Sequence, residues 1–136
     1  MNMVRIGEPV VRDEDLRLLQ GKGRYLDDVA AFNQAYAQVL RSPFAHAKIK
    51  SIDSSKAEAM PGVLAILTGL ELEDRGLGAL KPADPGKRSD GSPGFGCSLP
   101  LLAQGRVRFV GQAVAFIVAE SAAKAKDAAE LIEVDY

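Results

Sequence analysis

A single histidine, a single cysteine and three arginines carry most of the chemistry this sequence can offer. His46 is the only imidazole in the chain, so every histidine-dependent mechanism must run through it. Ser42 stands four residues before it. Nothing around that serine forms the strand-to-helix elbow of a nucleophile, and a triad also needs a buried orienting carboxylate and oxyanion donors. A metal would need further ligands, and Cys97 with scattered carboxylates does not supply ligand spacing. His46 is therefore read as a structural hydrogen-bonding residue at the turn between two strands.

Cys97 sits in Gly94-Phe95-Gly96-Cys97-Ser98. The glycines favour exposure, but no neighbouring base would hold the thiol as a thiolate, so it is read as an inert loop cysteine. Gly21-Lys22-Gly23 and Gly94-Phe95-Gly96 lack the strand, the helix and the third glycine of a nucleotide-binding turn, and are read as turn glycines. Asp27 and Asp28 are read as solvated turn carboxylates. Arg41, Arg106 and Arg108 leave two readings open. They could form bidentate pairs with carboxylates across an interface, or line a solvated strand face, since Arg106 and Arg108 alternate with Val107 and Phe109.

These residues need elements to position them. Tyr36 to Ser42 reads as a strand of imperfect alternation, ended by Pro43, which has no ladder donor. Ala47 to Asp53 alternates as a half-buried strand should, with Ile52 out of phase, the mark of a bulge or bend. Ser55-Lys56-Ala57-Glu58 has capping-box spacing, so a short helix from Ser55 to Met60 is expected, stopped by Pro61-Gly62. Val63 to Leu67 is of strand length, and Thr68-Gly69-Leu70-Glu71 repeats the capping-box spacing. Asp74 to Pro100 holds six glycines and four of the seven prolines. It is expected to be a long, irregular and mobile insertion. Arg106 to Phe109 alternates, and Ala113 to Ala119 is continuously apolar, as in a strand buried on both faces. Ser121 is a good N-cap, and Ala122, Ala125, Ala129 and Ile132 line one face of the helix that follows. Ile132, Val134 and Tyr136 then share one face of a final strand. The expected order is β-β-α-β-turn-long loop-β-β-α-β: an α+β fold with two main helices against a mixed sheet. Residues 1–35 read as an arm and 36–136 as the domain, with the Gly/Pro-rich loop at 74–100.

The balance of the chain excludes several classes. It has 136 residues, 17 basic and 18 acidic side chains and a net charge of −1. No basic field exists to hold a nucleic-acid backbone. One cysteine excludes an intramolecular disulfide or a cysteine-rich metal cluster, and it is compatible with a reducing cytoplasm, the expected location. The N-terminus has no apolar signal segment, and the longest apolar run, Ala113–Ala119, is too short to span a bilayer. Hydrophobic content of 47% and charged content of 26% suit one globular domain.

Six segments in order then resemble one family. Gly21-Lys22-Gly23-Arg24-Tyr25-Leu26-Asp27-Asp28 looks like G-x-G-x-Y/F-x-D-D, and Arg41 to Ile49 looks like R-S-P-x-A-H-A-x-I. Pro61-Gly62-Val63, Thr68-Gly69, Pro100-Leu101-Leu102-Ala103 and Val107-Arg108-Phe109-Val110-Gly111-Gln112 follow. They resemble the N-terminal α/β-hammerhead domain of the large, molybdenum-binding subunit of the xanthine dehydrogenase, aldehyde oxidase and carbon monoxide dehydrogenase family. Ala113 stands where the family usually has proline. Glu130 to Tyr136 is similar to the end of that domain.

The resemblance implies a molybdopterin cofactor in the remaining domains of the large subunit. It also implies 2Fe-2S clusters and FAD in partner domains or subunits. The family's glycine-rich cofactor loops and catalytic glutamate have no counterpart among these residues, so no catalytic, cofactor-binding or metal residue is assigned here. The expected role is architectural: packing on the molybdenum domains, with the isolated chain inactive. The alternative is a free-standing binding or scaffold module of the same fold with no redox role. Neither nucleic acid nor membrane is an expected partner.

Overall fold

The computed structural model describes residues 7, 9, 12–81, 84 and 86–136. The chain separates into two compact units, residues 1–34 and 35–136. In the first, helix α1 (Asp15–Leu19) ends at Gly21, whose φ is +68°. Lys22 N–H donates to Arg17 C=O and Gly21 N–H to Leu18 C=O, both at 3.0 Å. This is the paired closure in which a left-handed glycine satisfies the last helical carbonyls. A single 3₁₀ turn, Leu26–Asp28, follows, and Asp28 accepts the Tyr25 N–H at 2.9 Å. None of the described residues of this unit is buried.

The second unit is built on an antiparallel three-stranded sheet, β1 (Tyr36–Arg41), β6 (Ala113–Ala119) and β4 (Val63–Thr68), with β6 in the centre. Two short antiparallel ladders flank it: β2 (Ala47–Lys48) with β5 (Arg106–Val107), and β3 (Ser51–Asp53) with β7 (Glu133–Asp135). The α+β class stands, but the expected single mixed sheet is three antiparallel ones. The division falls at Ile49 and Lys50, between β2 and β3, rather than at Ile52. The expected strand Ala47–Asp53 bends, so its first half pairs with β5 and its second with β7. β1 has a register shift between Leu40 and Arg41 and ends at Arg41, one residue earlier than expected.

Helix α4 (Ala122–Glu130) lies over one sheet face, begun by Ser121, whose hydroxyl accepts the Lys124 N–H at 3.2 Å. Its buried face is Ala125, Ala128 and Ala129, continued by Ile132, whereas Ala122 in the first turn is exposed. Alanine has almost no side chain to hold the axis off the sheet, so Ile117 and Ala115 on β6 pack directly beneath. Ala57 of α2 (Ser55–Glu58) completes this core. A second cluster of Ala103, Val107 and Val114 joins the short ladders to β6.

Both expected capping boxes sit at helix starts, with different outcomes. At α3 (Gly69–Asp74), Glu71 reaches back to accept the Thr68 N–H at 2.6 Å. At α2 the box at Ser55 is displaced. Asp53 accepts both the Ser55 N–H and its hydroxyl, at 3.0 and 2.6 Å, while Glu58 pairs with the Ser54 hydroxyl. An aspartate two residues upstream forms an Asx turn and so outcompetes the longer reach of Glu58. The Gly/Pro-rich segment folds back on itself through bridges between Leu80 and Leu99 and between Lys87 and Pro93.

Candidate functional site

Arg41, Ser42 and Gln112 hold the chain where it leaves β1 and enters β6, and His46 pairs with Arg106 beside β5. Beyond the register shift the ladder continues. Ser42 N–H donates to Gln112 C=O at 2.9 Å, and Gly111 N–H donates to Ser42 C=O at 2.8 Å. Gly111 has a φ of +85°, a conformation that favours glycine. The Arg41 guanidinium closes the same turn, donating to Gly111 C=O at 2.9 Å. Its partner within this chain is a backbone carbonyl.

Ser42 is 2% exposed. Its hydroxyl accepts the Phe44 N–H at 3.0 Å and donates to Phe44 C=O at 3.2 Å. That oxygen is thus committed to turning the chain at Pro43 rather than held for attack. Gln112 is 4% exposed, and its side-chain oxygen accepts the Arg108 N–H at 2.7 Å. The amide therefore satisfies a backbone donor next to β5, which would otherwise cost about 1–3 kcal/mol. Sequence reasoning passed over Gln112 as a functional group. The available signal was a polar residue following a glycine at the head of an apolar run.

His46 Nε2 lies 3.4 Å from Arg106 Nη1. A guanidinium only donates, so in this contact Nε2 is the acceptor. Across this turn Phe44 tilts against Tyr136, with ring centroids 4.9 Å apart. The reading of His46 as a structural group between strands fits this geometry. Arg108 is exposed, as the solvated-face reading has it, but so is Phe109, at 48%. The alternation there stops because β5 ends at Val107.

Other candidates stand apart from this junction. Cys97 is exposed, and its Sγ comes only within 3.8 Å of the Ser98 carbonyl. Cys97, Arg108 and Gln112 do share the lining of a surface cavity of about 460 Å³. His46 is not among its walls, so the cavity brings a thiol and an amide together without a general base. Gly94 N–H donates to Gly86 C=O at 2.9 Å, pairing two stretches of the Gly/Pro-rich segment rather than closing a tight turn. Asp28 serves the Tyr25 amide, and Asp27 is exposed. Among the described residues, no three His, Cys, Asp or Glu side chains converge as a metal-ligand set. No described helix is long and apolar enough to cross a membrane.

Charge pairs lie along the β3–β7 ladder. Lys50 bridges Asp135 at 3.1 Å, and Lys56 bridges Glu133. Hydrogen bonds from the Ser55 hydroxyl and amide hold the Asp53 carboxyl below its ordinary value, and the Glu133 carboxylate raises Lys56 above its own. In the loop, Ser92 lowers Asp90 in the same way. All of these groups face solvent.

Comparison with known proteins places this arrangement. Residues 20–136 match the family model described as "Aldehyde oxidase and xanthine dehydrogenase, a/b hammerhead domain". The chain is 42% identical over 132 residues to the nicotine 6-hydroxylase large subunit of Paenarthrobacter nicotinovorans, covering 93% of this chain and 15% of that protein. It is 44% identical over 125 residues to the carbon monoxide dehydrogenase large chain of Afipia carboxidovorans, covering 92% of this chain and 14% of that one. Among solved structures, quinoline 2-oxidoreductase from Pseudomonas putida superposes with a TM-score of 0.78 at 42% identity, over 96% of this chain and 16% of that chain. The Cu,Mo-CO dehydrogenase gives a TM-score of 0.76 at 42% identity, over 96% and 15%. The chain thus spans about one sixth or less of the proteins it matches. It belongs to the aldehyde oxidase and xanthine dehydrogenase family, as an α/β-hammerhead domain.

Proposed function

We propose that this chain is a non-catalytic hammerhead module of a molybdopterin-dependent hydroxylase or dehydrogenase large subunit, with a structural, domain-packing role. One observation carries the reading. The family's most distinctive segments, Arg41–Ile49 and Val107–Gln112, are joined to each other, and the groups that join them, Arg41, Ser42 and Gln112, bond to backbone. Such residues build a scaffold rather than present a reactive group. The short share of each relative that the chain spans supports the same reading.

The family implies molybdopterin, and the described residues do not fit it. No ligand set converges, and Gly21 closes a helix and Gly94 pairs two stretches of a loop rather than opening a phosphate-binding helix. No chemical step is therefore derived through that cofactor here. Molybdopterin is assigned to the remaining domains of the large subunit, and 2Fe-2S clusters and FAD to further domains or subunits, all in the cytoplasm.

The test has two arms. The 136-residue chain, purified alone, is expected to hold no stoichiometric molybdenum and to oxidise no purine, aldehyde or carbon monoxide. Turnover by this material would sink the assignment. The protein isolated from its own host should carry molybdenum together with large-subunit sequence outside these residues. A molybdenum-free preparation containing only this chain would instead favour a free-standing module.

A further inference from the structure

The turn between β5 and β6 brings two unused hydrogen-bond donors to one cavity. Gln112 is 4% exposed, and its side-chain oxygen takes the Arg108 N–H at 2.7 Å. That bond settles which end of the amide is which: the oxygen faces the backbone, and the NH₂ group points the other way. No described residue accepts from this NH₂. Nor is it sealed inside, since among the described residues no fully enclosed side-chain nitrogen or oxygen lacks a partner. An unpartnered nitrogen on a buried side chain must therefore reach accessible surface. Gln112 has that surface in the cavity of about 460 Å³ that it lines together with Arg108, Phe109 and Cys97. Arg108 is exposed, and no ion pair among the described residues involves it. Leu99 and Pro100 add apolar wall.

We propose that this cavity binds a small monocarboxylate with an apolar body. The carboxylate takes N–H bonds from the Arg108 guanidinium and from the Gln112 amide, both of which donate and neither of which has another acceptor. Arg108 is the only cationic side chain in the wall, and no carboxylate side chain opposes it there. One negative charge is thus matched, whereas a phosphate dianion is not. Phe109, Leu99 and Pro100 cover the rest of the ligand, which is why its body is apolar. The cavity falls within the roughly 300–1,000 Å³ of small-molecule pockets, which likewise combine apolar walls with a few placed polar groups. The packing role proposed above neither requires nor supplies such a ligand.

The test uses the protein as its host makes it, with benzoate as the probe. Cys97, exposed on the same wall, reports occupancy through its rate of alkylation by iodoacetamide, read on its own peptide by mass spectrometry. Benzoate is expected to slow that alkylation severalfold and saturably. Benzamide, which keeps the ring and lacks the charge, and inorganic phosphate are expected to leave it unchanged. Two variants separate binding from folding. Arg108→Gln removes the cation and keeps the backbone N–H. Gln112→Glu keeps the acceptor for that N–H and sets an anionic oxygen where the NH₂ stood. Each should abolish the protection by benzoate and leave the unliganded alkylation rate of Cys97 unchanged. No protection by benzoate, equal protection by benzamide or phosphate, or protection that survives Arg108→Gln would overturn the proposal. So would a Cys97 that reacts only after unfolding, because other polypeptide then fills the cavity.

Discussion

Gln112 shows how much of this domain depends on single buried polar atoms. Its carbonyl and side-chain oxygens serve two different backbone donors, Ser42 N–H and Arg108 N–H. Gln112→Ala should lower the stability of the chain by about 1–3 kcal/mol, because the Arg108 N–H is left without its partner. Gln112→Glu keeps an acceptor in place and should lose less. Urea unfolding of the pair reads the difference, and equal losses would show that the acceptor is not what matters. Asp53 makes a prediction about pH. Its carboxyl is held below 3.8 by Ser55, so the bonds to Ser55 contribute fully above that value and are lost as pH falls through the lower folded value. Lys56 behaves in the opposite sense: its contribution is present below 10.5 and is lost as pH rises past its raised folded value. Asp53→Asn should flatten the acid side of a stability-versus-pH profile and change the alkaline side less, because Glu133 is the main cause of the raised Lys56 value and Asp53 a smaller one. Both groups are exposed, so solvent screening keeps the effects small.

At the scale of elements, the central strand and its helix hold the domain together. Ile117 is fully buried between the sheet and the helices, and Ile117→Ala should cost about 2–5 kcal/mol. A larger residue on α4 should act through the opposite error. Ala128 is fully buried, and Ala128→Leu should destabilise by about 1–3 kcal/mol by pushing the helix off the sheet. A neutral result in thermal unfolding would mean that α4 does not lie as close as described. Gly69 is a third such point, since a Cβ there would come 2.4 Å from the Ala103 carbonyl oxygen. Its presence in Thr68-Gly69 is explained by that close approach rather than by a turn. The expected strand Ala113–Ala119 and the N-cap at Ser121 were legible because they are local. Burial of β6 on both faces was not. It holds at Val114 and lapses at Phe116 and Val118, since what lies above a strand is decided by other parts of the chain.

Among the described residues, the buried hydrophobic side chains all lie between Ala57 and Ile132, and the described part of residues 1–34 adds none. Residues 35–136 alone should therefore unfold cooperatively, with a midpoint in urea close to that of the full chain. A truncated form without a cooperative transition would show that the first unit is needed for the fold. The second unit leaves a sheet face of aliphatic and aromatic side chains half in contact with water.

The sequence alone determined most of the elements and the family. Those rest on local periodicity, capping residues and a handful of ordered motifs. Only the tertiary structure decided that Ala47–Asp53 serves two ladders, that Asp53 displaces the expected box at Ser55, and that Gln112 is a buried acceptor. These outcomes depend on which distant segment arrives opposite. Hydrogen-bond pairing across 60 to 70 residues, as between His46 and Arg106 or Arg41 and Gly111, is set by the packed fold and leaves no periodic trace along the chain.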